Sequence, residues 1–214
     1  MNTSSRTAGQ DPERYPVFDD HAASLFLQEL IAHASACLQA TLATQLGAVD
    51  HSGETNVFSS ARTVANSAAM VAKILWPNVR KEVGESPEAW ARRKRLASLR
   101  GPALREMLDI PDNSPLRNTQ VRNAIEHYDE RLDRRLSSKD RNIIRNTIGP
   151  PNAVHIEGST EPFYLHHYDP QTSIYTILGA TLNIRQTEEA MANLLQAAIM
   201  SRAEIEARRM APRH

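Results

Sequence analysis

Leu27-Gln28-Glu29-Leu30-Ile31-Ala32-His33-Ala34, continued by Leu38, Leu42 and Leu46, sets apolar side chains three and four residues apart. That spacing predicts a long helix with one buried face. Asp19 and Asp20 stand where an N-cap belongs, and Gly47 with the polar run to Glu54 marks the expected end. A second helix is expected from about Val57 to Leu75, with Phe58, Ala61, Val64, Ala65, Ala68, Val71, Ile74 and Leu75 inward and Pro77 stopping it after Trp76. Its inward residues are mostly small, which permits close packing.

Outward from this pair, Ser86-Pro87-Glu88 reads as a helix start, with Ser as cap, Pro at the first position and an acid facing the helix dipole. Gly101-Pro102 is expected to interrupt that helix, leaving a short piece with Leu104, Met107 and Leu108 before a turn at Pro111-Asp112-Asn113-Ser114-Pro115. One continuous helix is predicted from about Leu116 to Ser137. Gly149-Pro150-Pro151 then breaks the helical region. Phe163 to Tyr168 and Ser173 to Leu178 read as two short strands joined at Asp169-Pro170-Gln171-Thr172, and a last helix covers about Thr187 to Arg209. The fold class is therefore mainly α, a helical bundle with a small C-terminal β-hairpin near residues 163–178. Residues 1–16 read as a flexible tail and 17–210 as a single domain.

Composition narrows the function classes. The 214 residues hold 25 Lys and Arg against 25 Asp and Glu, so no global positive field holds nucleic acid, and any such contact must come from a local patch. A single cysteine, Cys37, excludes an internal disulfide and suits a reducing cytoplasm. Met1 to Pro16 lacks the apolar core of a signal peptide, and no run of about eighteen apolar residues occurs, so neither export nor membrane insertion is expected. Walker, dinucleotide-binding, zinc and serine-nucleophile signatures are absent, and no metal or cofactor is expected.

The chemistry concentrates in Val121-Arg122-Asn123-Ala124-Ile125-Glu126-His127-Tyr128-Asp129-Glu130-Arg131. Arg122 is a permanent cation able to grip a phosphate, and His127 exchanges a proton near neutral pH, which together form a minimal kit for cutting RNA without a metal. On an unbroken helix Val121, Ile125, Tyr128, Leu132 and Leu136 form the apolar stripe, and Arg122 and His127 stand about 140° apart on the outer surface. A phosphate between them needs a groove, most simply one completed by a two-fold partner. Glu126, four residues after Arg122, and Glu130, three after His127, are within reach as supporting acids. The same pattern also describes an ordinary solvated helix face.

With these neighbours the chain resembles the HEPN superfamily of bacterial helical-bundle proteins. The likeness rests on Leu75-Trp76-Pro77, Asp112-Asn113-Ser114-Pro115-Leu116-Arg117, Arg122-Asn123 with Glu126-His127 and Asp129-Glu130-Arg131-Leu132-Asp133. It continues through Asn146-Thr147-Ile148-Gly149-Pro150 and His167-Tyr168-Asp169-Pro170, spanning roughly residues 20 to 200. The resemblance implies an up-and-down bundle, usually a homodimer, and in active members a metal-independent endoribonuclease with Arg and His in the dimer cleft. By position these are Arg122 and His127, with Asn123 as the polar residue that often follows the Arg. The implied biology is a toxin, antiphage or RNA-processing role, with an antitoxin or other protein as partner. Some HEPN toxins carry a Tyr two residues after the His that a partner nucleotidyltransferase modifies; here that position is Asp129 and the Tyr is adjacent to the His. The superfamily also holds non-catalytic members, so a module binding a partner protein or a nucleotide is the competing reading. An intact Arg and His pair, which such a module has no chemical need to keep, separates the two.

Other features are weighed against plainer readings. Arg92, Arg93 and Arg95, with Lys94, form the densest basic stretch and read as an RNA footprint or a solvated face, with Arg131 and Arg134 adding basic charge to the motif helix. His33 and Cys37 are one turn apart but make no metal site, and core packing is expected. His166 and His167 are adjacent in a strand, so they point to opposite faces, one of them expected toward solvent.

Overall fold

The computed structural model describes residues 18–50, 54–139, 142–154 and 163–211, with backbone alone for Asp50, Glu54, Thr55, Thr119 and Arg122. The tail expected over residues 1–16 lies outside the described residues. The protein is mainly helical. In chain order come α1 (Asp20–Asp50), α2 (Glu54–Leu75), α3 (Pro87–Met107), a 3₁₀ turn at Pro115–Arg117, α4 (Thr119–Glu126) and α5 (Tyr128–Leu136). Strands β1 (Ile143–Ile148), β2 (Phe163–Asp169), β3 (Ile174–Ile177) and β4 (Ala180–Asn183) follow, and α6 (Ile184–Met210) closes the described chain.

The most extensive packing lies between α1 and α2. On α1 the buried residues include the series Ala23, Leu27, Leu30, Ala34, Cys37, Thr41 and Thr44, with Ala40 and Gly47 buried beside it, and on α2 the series Val57, Ala61, Val64, Ala68, Val71 and Leu75. Both series alternate steps of four and three, the repeat that keeps two helices facing each other along a seam. The expected α1 stripe departs from this seam after Ala34. Its steps of four through Leu38, Leu42 and Leu46 each rotate the face by about 40°, and Leu42 and Leu46 end 56% and 54% exposed. Gly47 does not end α1, which runs on to Asp50. Ile184, Thr187, Met191, Leu194, Ala198 and Ile205 of α6 are buried, and α6 packs chiefly on α1.

Ser86 caps α3 as the sequence suggests, its hydroxyl accepting from the Ala89 N–H at 3.2 Å. Gly101-Pro102 does not interrupt α3, which continues to Met107 with Pro102 inside it. Gly101 serves as a contact point: a Cβ there would meet Pro77 Cδ at 2.7 Å and the Leu75 carbonyl oxygen at 3.0 Å. The glycine lets α3 cross the end of α2 at close range.

The continuous helix expected from Leu116 to Ser137 is replaced by the 3₁₀ turn, α4 and α5, with a break at His127 (φ −116°, ψ 41°). The His127 N–H still bonds to the Asn123 carbonyl at 3.1 Å, closing α4, and Asp129 and Glu130 open α5 with acids in its first turn. Acids at a helix start offset the positive end of its dipole, so the sequence supports a new N-terminus here. After the break the apolar stripe loses its register, and no residue of α5 is fully buried.

The β-structure is larger than the expected two-stranded hairpin. A mixed four-stranded sheet has the order β1-β2-β3-β4, with β1 parallel to β2 and the other pairs antiparallel. Buried Asp169 shapes the turn between β2 and β3 by accepting from the Gln171 N–H at 3.0 Å and the Thr172 hydroxyl at 2.6 Å. Leu178 and Gly179, both at positive φ, join β3 to β4. Tyr168 and Tyr175, opposite each other on β2 and β3, are fully buried.

The seam makes a direct prediction. Leu30→Ala empties a fully buried position and should cost about 2–5 kcal/mol of stability, whereas Leu42→Ala should change it by less than about 1 kcal/mol. Denaturant unfolding of the two variants measures the difference, and equal losses would place Leu42 on the packed face.

Candidate functional site

The motif segment is held at several points. The Asn118 side-chain oxygen accepts from the Gln120 and Val121 N–H groups at 3.0 and 3.4 Å, capping α4, while its nitrogen donates to the Thr181 carbonyl on β4 at 3.0 Å. Val121 and Ala124 are buried against the core. Glu126, at the end of α4, forms an ion pair with Lys73 of α2. Beyond the break, the Tyr128 ring stacks on His166 with centroids 6.4 Å apart, and Arg131 donates to the Leu178 carbonyl at 3.2 Å.

His127 sits at the junction with its side chain 44% exposed, accessible to a ligand. Its Nδ1 lies 3.2 Å from the Glu130 carboxylate, as the three-residue spacing suggested. His127 is also the residue before the first turn of α5, and Glu130 is the third residue of that helix. An acid at this place commonly reaches back to the backbone N–H of the capping residue; here it meets the imidazole ring. The two form an ion pair when the ring carries a second proton, and Nε2 is the ring nitrogen this carboxylate does not engage. The Arg122 backbone lies in α4 and its side chain is outside the described residues. Because the helix breaks at His127, the 140° separation derived for an unbroken helix does not describe this pair. Asn123 is exposed, on the turn before His127.

The basic residues divide. Arg92, Arg95 and Arg134 are exposed. Arg93 is engaged: its guanidinium bonds to Glu85 at 2.8 and 2.9 Å, to the Arg80 carbonyl at 2.8 Å, and pairs with Glu82 at 3.3 Å. Arg93 and the Glu82 N–H together hold the Glu85 carboxyl down to about 2. Cys37 is wholly buried, and burial pushes its thiol up to about 12, so it belongs to the core. Among the described residues no group of three or more His, Cys, Asp or Glu side chains gathers as metal ligands would.

Neither His166 nor His167 faces solvent; they are 5% and 3% exposed. His167 Nε2 donates to the Gly149 carbonyl at 2.9 Å and its ring stacks on Tyr164 at 4.5 Å. His166 lies between two partners, Arg62 from α2 at 2.9 Å on Nε2 and the Tyr175 hydroxyl at 2.8 Å on Nδ1. A guanidinium only donates, so Nε2 accepts and Nδ1–H donates to the tyrosine oxygen. Burial, then the charge of Arg62, brings the imidazole down to about 4. This cluster went unread in the sequence. The strand register does place His166 and Tyr175 as diagonal neighbours, but nothing local announces Arg62, more than a hundred residues away.

Compared with known proteins, the chain matches no family model, no curated protein and no solved structure.

The His166 cluster predicts a pH dependence of stability. The unfolded imidazole keeps its ordinary value of 6.5 and the folded one sits near 4, so the unfolded chain binds the extra proton first. The contribution is fully present above about pH 6.5 and is lost as the pH falls toward 4, a decline on the order of 3 kcal/mol. Denaturant melts across this window should show the slope in the native protein and a flatter one in His166→Gln. Identical slopes would remove His166 as its source.

Proposed function

We propose that the protein is a metal-independent endoribonuclease of the HEPN type, an up-and-down bundle that works as a cytoplasmic homodimer in a toxin, antiphage or RNA-processing role. The observation that carries this reading is the half-exposed His127 ring with the Glu130 carboxylate on its Nδ1. An acid in that position steadies the imidazolium that forms when the ring takes a proton. The helical character of the chain and the Arg122-Asn123 pair one turn earlier add support.

In the proposed reaction a ribose 2′-hydroxyl attacks the adjacent phosphorus, and the bond to the 5′-oxygen of the next nucleotide breaks. His127 takes the hydroxyl proton or delivers one to the leaving oxygen. Arg122 stabilises the charge on the non-bridging oxygens, and a cyclic phosphate and a 5′-hydroxyl result. A partner protomer presenting the same face completes the groove. Substrates lacking the 2′-hydroxyl are not cut. In a toxin role, an antitoxin covering the His127 face would block the reaction.

The second reading, a non-catalytic module that binds a partner protein or a nucleotide, draws on a concavity of about 560 Å³ between α2 and α3, a size in the range of small-ligand clefts. Incubation of the purified protein with mixed RNA in EDTA discriminates the two. Cleavage is expected, falling by about 10²- to 10⁴-fold in His127→Ala and in Arg122→Ala while far-UV spectra stay native. RNA left intact at high protein concentration would reject the nuclease, and normal cleavage by either variant would reject its assigned role.

A further inference from the structure

Residues 73–100 hold eight Lys and Arg against three Glu, although Lys and Arg balance Asp and Glu over the chain as a whole. This segment lines the concavity between the end of α2, the loop after Pro77 and α3, and Glu126 of the motif segment stands on its rim. The charges on its walls are not equivalent. Lys73 is paired with Glu126, and Arg93 with Glu82 and Glu85. Arg100 is half-buried, its guanidinium over the Phe26 ring at 4.4 Å and donating to the Lys73 carbonyl at 3.4 Å. Arg80 and Lys81 differ: both are exposed, and neither has a salt-bridge partner among the described residues.

Their position is fixed by the backbone. Arg93 donates to the Arg80 carbonyl and grips Glu85, whose carboxylate accepts from the Glu82 N–H at 3.0 Å. The loop therefore presents these two exposed cations from a braced backbone, Lys81 within electrostatic reach of Glu85, which lowers the ordering cost of binding an anion. The Lys73–Glu126 pair links this concavity to the end of α4, one residue before His127.

We infer that this concavity is the binding track for single-stranded RNA, with Arg80 and Lys81 as its phosphate contacts and Arg93 as the positioning residue that holds them. The inference rests on the nuclease reading for its ligand, and it assigns the grip on RNA to the loop before α3 rather than to the Arg92–Arg95 face of that helix. The recognised chemistry is the phosphate group, which a free nucleotide or pyrophosphate also carries.

The test uses the full chain with His127→Ala to suppress cleavage and a labelled oligouridylate followed by fluorescence anisotropy. Adding Arg80→Glu and Lys81→Glu should weaken binding by about tenfold or more and shrink the salt slope by about 0.7 for each lost contact with a single strand. Arg93→Ala should weaken binding as well, whereas Arg92→Ala with Arg95→Ala should change it little. Unchanged affinity and slope in the Arg80 and Lys81 variant would overturn the inference. So would displacement of the RNA by ATP or pyrophosphate at concentrations no higher than those of the RNA itself, which would mark a nucleotide site. Binding with the expected variant losses but no cleavage by the native protein would sink the nuclease reading and leave the track standing. Cleavage by the native protein with unaltered KM in the Arg80 and Lys81 variant would sink the track alone.

Discussion

Everything in this molecule is referred to the seam between α1 and α2. Its residues alternate by four and three and are mostly Ala, Val, Leu, Cys and Thr, so two long helices lie close together with little side-chain volume between them. α6 adds a third such series against α1. The outer side of α2 then serves as a platform. Arg62 reaches from it to His166 of the sheet, and Lys73 to Glu126 of the motif segment. The end of α2 receives Gly101 of α3. A helix packed less closely on α1 would carry all three contacts away with it.

The motif segment is shaped from both sides of its break. Lys73 draws the end of α4 toward α2, while the stack of Tyr128 on His166 ties the start of α5 to the sheet. Helix-forming tendency within the segment is not what decides the break, because neither Gly nor Pro occurs between Val121 and Leu136. Tertiary contacts hold the chain on both sides of it, and the acids at the start of α5 favour a new helix start there. The result is a histidine held between two short helices, with its backbone out of helical geometry and its ring on a carboxylate.

Local chemistry that depends on neighbours in sequence was legible. Ser86 capping α3, Pro77 beyond α2, the turn built by Asp169 and the reach of Glu130 to His127 all act over a few residues. What depended on contacts between distant segments was not. Gly101-Pro102 reads as an interruption until Pro77 is seen against it, and the exposure of Leu42 and Leu46 follows from a repeat that only the partner helix selects. β1 pairs in parallel with β2 across a crossover, so no short turn announced it, and β4 is four residues long. His166 and His167 lie on a strand covered on both sides, where alternation no longer separates core from solvent. At the candidate site, His127 and its acid Glu130 were visible as a spacing, whereas the contacts of Lys73 and Arg62 and the placement of the loop cations were not.

Asn118 performs two tasks with the two ends of one amide. Its oxygen closes the start of α4 and its nitrogen reaches the Thr181 carbonyl on the sheet's outer strand. Among the preferred capping residues this combination is exacting. Aspartate caps as well but has no hydrogen to offer, and it would set a negative charge against a carbonyl oxygen. Serine and threonine have both functions on a single atom, too short to span cap and strand together. A planar amide of this length is thus a rivet with two heads, and it fastens the start of α4 to the rim of the sheet.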